Sequence, residues 1–386
     1  MKKNKSASSL YQIILFTALC GITQSTLSSN YLSTPPFIGT PGVGAGPTSI
    51  AYSPNGQWAA VVNSGATPAT VSVYSVNNLT GVLTPVTGSP FATPGDEPQT
   101  IAYSPDSKWA ALTDSDENLL TIYSVNQTTG ALTQTSNITV AGGADDVQYS
   151  PTINGNTYYL AVTSATLSVY SQTGGVPTPI DSHAANQSTS VAYSPNGAYA
   201  AVANNGDNTV NLYTVEATGM NAGKFTPANT YTFSEFAPLS VAFSPNNNFF
   251  AVTGTDNHGN GFVYIFSVSS TTAVGSYSTG SFPVWVTYSP DGTHLVTANS
   301  GANNVSAFSV TPSTGVLTPV TGSPFSTVGH DPQAIAYSYS GAFLATANES
   351  TNNVSVFQVN SVTPTSSGLD PFVTRLIQKY GANGLG

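Results

Sequence analysis

Residues 50–56 read IAYSPNG, and this short string decides the fold because it returns six more times. The other copies are IAYSPDS from Ile101, VQYSPTI from Val147, VAYSPNG from Val191, VAFSPNN from Val241, VTYSPDG from Val286 and IAYSYSG from Ile335. Their aromatic anchors, Tyr52, Tyr103, Tyr149, Tyr193, Phe243, Tyr288 and Tyr337, recur every 44 to 51 residues. A period of that length marks propeller blades. The string TGVLTPVTGSPF occurs at both 80–91 and 314–325, which chance does not produce.

Four strand signals surround each anchor. In the first unit, Thr48 to Tyr52 is followed by a Ser-Pro-Asn-Gly turn, in which Pro presets φ and Gly closes the bend. The apolar run Trp58 to Val62 suits a strand covered on both faces. An alternating strand follows, Val71 to Val76, and then an edge-type strand, Val82 to Val86, rich in Pro and Thr. Helix signals are almost absent. The expected fold is all-β, a seven-bladed β-propeller of four-stranded antiparallel blades. The seventh unit shows three strands, Ala334 to Tyr337, Phe343 to Ala347 and Val354 to Val359, but no clear fourth. Ser33 to Pro47 matches the fourth-strand region TGSPFATPGDEP, so an N-terminal strand is expected to complete the last blade and close the ring. A stacked linear solenoid would not need such complementary ends.

The rest of the 386 residues divides around this array. Residues 1–30 read as a secretory signal, with Lys2, Lys3 and Lys5 before an apolar stretch from Leu10 to about Ile22. Residues 31–360 form the propeller. Residues 361–386 form a tail in which Asp370-Pro371 opens a short helix striped with Phe372, Leu376, Ile377 and Tyr380. The single cysteine, Cys20, lies in the signal, so the mature chain has no disulfide or thiolate metal site. It is expected to be extracytoplasmic and monomeric, with no membrane span once the signal is removed. Seventeen acidic against four basic side chains then remain, a balance that repels nucleic-acid phosphates and anionic lipid.

Alternate loops of an up-and-down blade share one end of the disc. Sorted that way, one end receives Asp96, Glu97, Asp114, Asp116, Glu117, Asp145, Asp146, Asp181, Asp207, Glu235, Asp256, Asp331 and Glu349, with no Lys or Arg. The other receives Asp106, Glu216 and Asp291 beside Lys108 and Lys224. Just before the first strands, Asp96, Glu97, Asp145, Asp146, His330 and Asp331 are expected to ring the channel mouth. Such carboxylates suit Ca²⁺, a small ligand, another cation or a basic protein segment. Loop carboxylates that merely cap turns and keep the chain soluble are the plainer reading.

The SPDG/SPNG turns, the strand endings AVANNGDNTV from Ala201 and LVTANSGANNV from Leu295, and the TGVLTPV strand resemble those of YVTN-type and lactonase-like seven-bladed propellers. The resemblance covers Ser33 to Asn360. It implies a propeller of a group that includes lactonases, cell-surface proteins and uncharacterised modules. Lactonases of this fold act on acidic lactones through Arg, His and Glu at the channel. Here no Arg lies between Ser33 and Asn360, and anion recognition relies on guanidinium or ammonium groups. The G-x-S-x-G, H-E-x-x-H and G-x-x-x-x-G-K signatures are absent. The expectation is a scaffold binding a cation, small ligand or basic partner at the acidic mouth. A lactonase-like hydrolase for a neutral lactone is the alternative.

Overall fold

A computed structural model of the protein describes residues 31–33, 43–155 and 157–360. The expected signal, most of the expected closing strand and the C-terminal tail lie outside them. Among the described residues the chain forms seven antiparallel sheets, blades one to seven, spanning 47–92, 98–139, 147–184, 188–232, 236–278, 283–326 and 332–358. Each blade is ordered as it runs, first strand to last. The first strand of every blade packs against that of the next, and Pro332–Tyr337 of blade seven packs against Pro47–Tyr52 of blade one. The first strands therefore form a closed circle. Second strands such as Trp58–Asn63 and Phe343–Asn348 are buried throughout, as their apolar runs require. Outer strands such as Ala273–Ser278 are half solvated.

The repeated Ser-Pro turn has a plain physical cause. The Ser53 hydroxyl accepts the Trp58 backbone N–H at 2.9 Å and donates to Asn55 Oδ1 at 2.7 Å. Ser104 with Asp106, Ser194 with Asn196, Ser244 with Asn246 and Ser289 with Asp291 repeat the arrangement. One serine thus satisfies the first donor of the second strand, and the Asx side chain two residues on fixes the bend. Blade three, where SPTI replaces SPNG, departs from this. Its first strand continues to Asn154, with an irregularity between Tyr149 and Ile153.

A second repeated contact binds neighbouring blades. The glycine in the turn before the fourth strand lies against an aromatic at or near the start of the second strand of the preceding blade. Gly130 sits on Trp58, Gly175 on Trp109, Gly223 on Tyr159, Gly315 on Phe249 and, across the ring joint, Gly81 on Phe343. All five glycines have φ between +60° and +85°. An added Cβ on Gly130 would lie 2.6 Å from the Trp58 ring. Gly130→Ala is therefore expected to destabilise by about 2 kcal/mol, from combined backbone strain and overpacking. A urea midpoint equal to that of the parent protein would sink this account.

At the joint between blades six and seven, Tyr31 stacks on His294 at 3.9 Å and 14°, covering the residue in the same second-strand position. The Tyr31 hydroxyl bonds that of Tyr337 at 2.7 Å. Leu32 forms an antiparallel bridge with Val359, the Ser33 N–H bonds Gln358 O at 3.0 Å, and the Asn360 N–H bonds Tyr31 O at 2.8 Å. Leu32 thereby stands where Leu83 faces Val76 and Leu317 faces Val310. The described pairing is this one bridge; residues 34–42 of the expected closing strand lie outside the description.

Candidate functional site at the acidic end

Backbone hydrogen bonds place two sets of loops at one end of the disc. The residue before the first strand accepts from the loop after the second strand: Ser64 to Gly46, Ser115 to Glu97, Asn205 to Gln187, Ser300 to Phe282 and Glu349 to Asp331. At the opposite end, Asn78 Nδ2 reaches Gly56 O and Gln127 Nε2 reaches Ser107 O, joining the turns after first and third strands. Lys108 belongs to that far end and pairs with Asp106 at 3.0 Å.

The six expected mouth residues fall into three separate groups, each held by its own loop. Asp96 and Glu97 wrap a pair of carboxyls: the Asp96 N–H donates to Glu117 Oε2 at 2.9 Å, and the Glu97 N–H to Asp114 Oδ2 at 3.1 Å. Burial, then its contact with Glu117, pushes Asp114 up to about 6, while Glu117 is lowered. Asp114 is thus the more readily protonated member of the pair. His330 is exposed, with its N–H on Thr351 Oγ1 at 3.0 Å. Asp331 adopts φ +62°, receives Gln333 Nε2 at 3.0 Å and faces Glu349, whose carboxyl is raised by burial and by the Asp331 charge.

In the third group, Asp145 is half-buried and raised by desolvation, with its N–H on Thr163 O at 2.9 Å. Asp146 is only 2% exposed and lies inside the wall between blades three and four. Its Oδ2 accepts the Val191 N–H of the next blade at 2.9 Å. Ser49, Ser190 and Ser240 do the same for Ile101, Val241 and Val286. Asp146 therefore occupies a position that other blades fill with serine, and its Oδ1 has no hydrogen-bond partner. Burial pushes this carboxyl up to about 6.

Asp181, expected in a loop of the acidic end, belongs instead to the outer strand Val176–Ala184, which runs further than its Pro-rich sequence suggests. Among the described residues no three His, Cys, Asp or Glu side chains gather closely enough to hold a metal ion. Sequence reading missed Phe282. This side chain at the acidic end is 50% exposed with φ +50°, a conformation bulky residues rarely adopt. Its signal lies in the repeat: Phe282-Pro283 aligns with Gly46-Pro47, Glu97-Pro98 and Asp331-Pro332.

Comparison with known proteins agrees with this architecture. Residues 23–149 match the family described as lactonase, 7-bladed beta-propeller, and residues 189–323 match the choice-of-anchor I domain. No curated protein sequence matches the chain. A candidate 6-phosphogluconolactonase from Bacteroides uniformis superposes with TM-score 0.65 at 15% identity, over 76% of this chain and 89% of its own. The periplasmic gluconolactonase of Pseudomonas aeruginosa gives 0.59 at 17%, over 72% and 86%. A chain of a mitotic checkpoint complex gives 0.66 at 17%, over 86% and 93%. At such identities the likeness speaks for the fold. The chain is a seven-bladed β-propeller, and its residues 23–149 are similar to the lactonase propeller family.

Proposed function

We propose that the protein is an extracytoplasmic hydrolase that opens neutral lactones at its acidic end. The carrying observation is that a chain matching a lactonase family over residues 23–149 has an end built from carboxyl groups, with no Lys or Arg among the described loops there. Lactone opening needs a group that takes a proton from the attacking water and a source of a proton for the departing alkoxide. Glu349, with its proton affinity raised beside Asp331, suits the first role. The proton that Glu349 takes can then return to the departing alkoxide, which completes the second. The negative field at this end disfavours phosphorylated or carboxylated lactones and leaves uncharged ones as the substrate class.

A pH-stat assay on γ-butyrolactone, δ-valerolactone, glucono-δ-lactone and 6-phosphogluconolactone tests this directly. Turnover is expected on neutral lactones, least on the phosphorylated one, and Glu349→Gln should lower kcat about 100-fold. Asp331→Asn keeps a residue that tolerates positive φ and should lower kcat in the same direction. If no lactone is opened, the one-sided acidity favours the second reading, a scaffold that holds a cation, small ligand or basic segment there. Charge reversal at Asp96, Glu97 and Asp331 would then weaken binding of an oligolysine peptide.

A further inference from the structure

A surface cavity of about 260 Å³ lies on the outer rim between blades three and four. Its walls come from the outer strand of blade three, Val176–Ala184, and from the two outer strands of blade four, Thr209–Val215 and Phe225–Thr232. The next junction, between blades four and five, is filled instead by Tyr231, Phe250 and Phe266, with ring centroids 4.7 to 5.5 Å apart. The cavity is lined by His183, Ala184, Asn211, Tyr213, Asn229 and Thr230, together with Leu212 and Pro227.

The lining chemistry is specific. His183 Nε2 lies 3.0 Å from Asp181 Oδ2, and that oxygen also accepts the Phe225 N–H at 2.8 Å. A carboxylate only accepts, so the imidazole proton sits on Nε2 and Nδ1 is left as an acceptor. The carboxylate that fixes the ring is already engaged by three donors, the Ser182 N–H at 3.0 Å being the third. Thr230 Oγ1 donates to Asn211 Oδ1 at 3.1 Å, which holds that amide in place. The His183 ring in turn packs on Tyr213 at 4.9 Å. The wall therefore offers fixed amide, hydroxyl and imidazole groups, both donors and acceptors, and contains no Lys, Arg or carboxylate. Hydroxyl groups of a ligand are both donors and acceptors, and match such a wall better than an anion or a cation does. The volume falls just below the roughly 300–1,000 Å³ of drug-sized ligands, the scale of a single sugar ring.

We propose that this rim cavity binds one small uncharged polyol, a sugar or sugar alcohol, independently of any chemistry at the acidic end. Saturation-transfer NMR with methyl α-D-glucopyranoside, methyl β-D-galactopyranoside, sorbitol and glucose 6-phosphate tests it on the whole protein. At least one neutral probe should bind saturably with Kd on the order of 1–10 mM. Ala184→Trp fills the cavity from an exposed position and should weaken that binding at least tenfold. Thr230→Val, a milder change at another exposed residue, should weaken it severalfold and serves should the tryptophan variant not fold. No saturable binding of any neutral probe, binding of glucose 6-phosphate alone, or unchanged affinity in the folded variants would each overturn the proposal.

Discussion

Leu32→Asp should lower the unfolding temperature by about 7 °C, the equivalent of roughly 5 kcal/mol for a propeller of this size. Leu32 is fully buried, and it shares its cluster with Val296, Phe325, Leu344 and Phe357 from blades six and seven. Its counterparts Leu83 and Leu317 are also buried, at 2% and 3% exposure. An aspartate there removes the apolar side chain and places a charge with no basic group among its cluster partners. Tyr31, beside it, would lose its seat on His294 and Tyr337. The control is Leu79→Asp: that leucine is 92% exposed on the turn before a fourth strand, and its replacement should leave the transition unmoved. Equal melting curves for the two variants would show that Tyr31–Ser33 is only draped on the ring.

The second large effect is a pH dependence traceable to one side chain. The Asp146 carboxyl is raised from 3.8 to about 6, so the folded protein still holds a proton that the unfolded chain has released. Folding therefore binds a proton between about pH 4 and pH 6, and stability falls as pH rises through that window. A two-unit displacement corresponds to about 3 kcal/mol. Asp114, raised for the same leading reason, adds a slope of the same sign. Asp146→Ser restores the acceptor that three other blades use and removes the buried charge. The variant should melt about 4 °C above the parent at pH 7 and match it near pH 4. Parallel melting-temperature profiles for variant and parent across this range would refute the assignment.

The propeller was legible because its signals are local. A Ser-Pro-Asx turn carries its own hydrogen bonds, as Ser53 and Asn55 show, and a second strand such as Trp58–Asn63 declares its burial by composition. The site was less legible because burial there depends on register between blades. Asp145 and Asp146 look alike as a sequence pair, yet one is half-buried and the other is walled in. Aligning ADDVQY with TSIAY would have put Asp146 on the serine of the repeat. Asp181 and His183, two residues apart on a strand, share a face. That relation could be drawn only once Val176–Ala184 was known to be extended to its end. The charge sorting between the two ends rested on strand alternation alone, and the loop-to-loop hydrogen bonds follow it for Glu97, Asp331 and Glu349.

The bond between Ser33 and Gln358 spans 325 positions, with consequences for biosynthesis. At the usual pace of translation a ribosome needs roughly 15–65 s to travel from one to the other. Throughout that interval the leading end has no mate, and the strand Asn353–Gln358 does not yet exist. Six sheets can assemble one after another as they emerge, whereas the joint waits for Gln358. A nascent chain stalled before residue 353 would present Leu32 and an unpaired sheet edge to the quality-control machinery, however well its earlier sheets had formed.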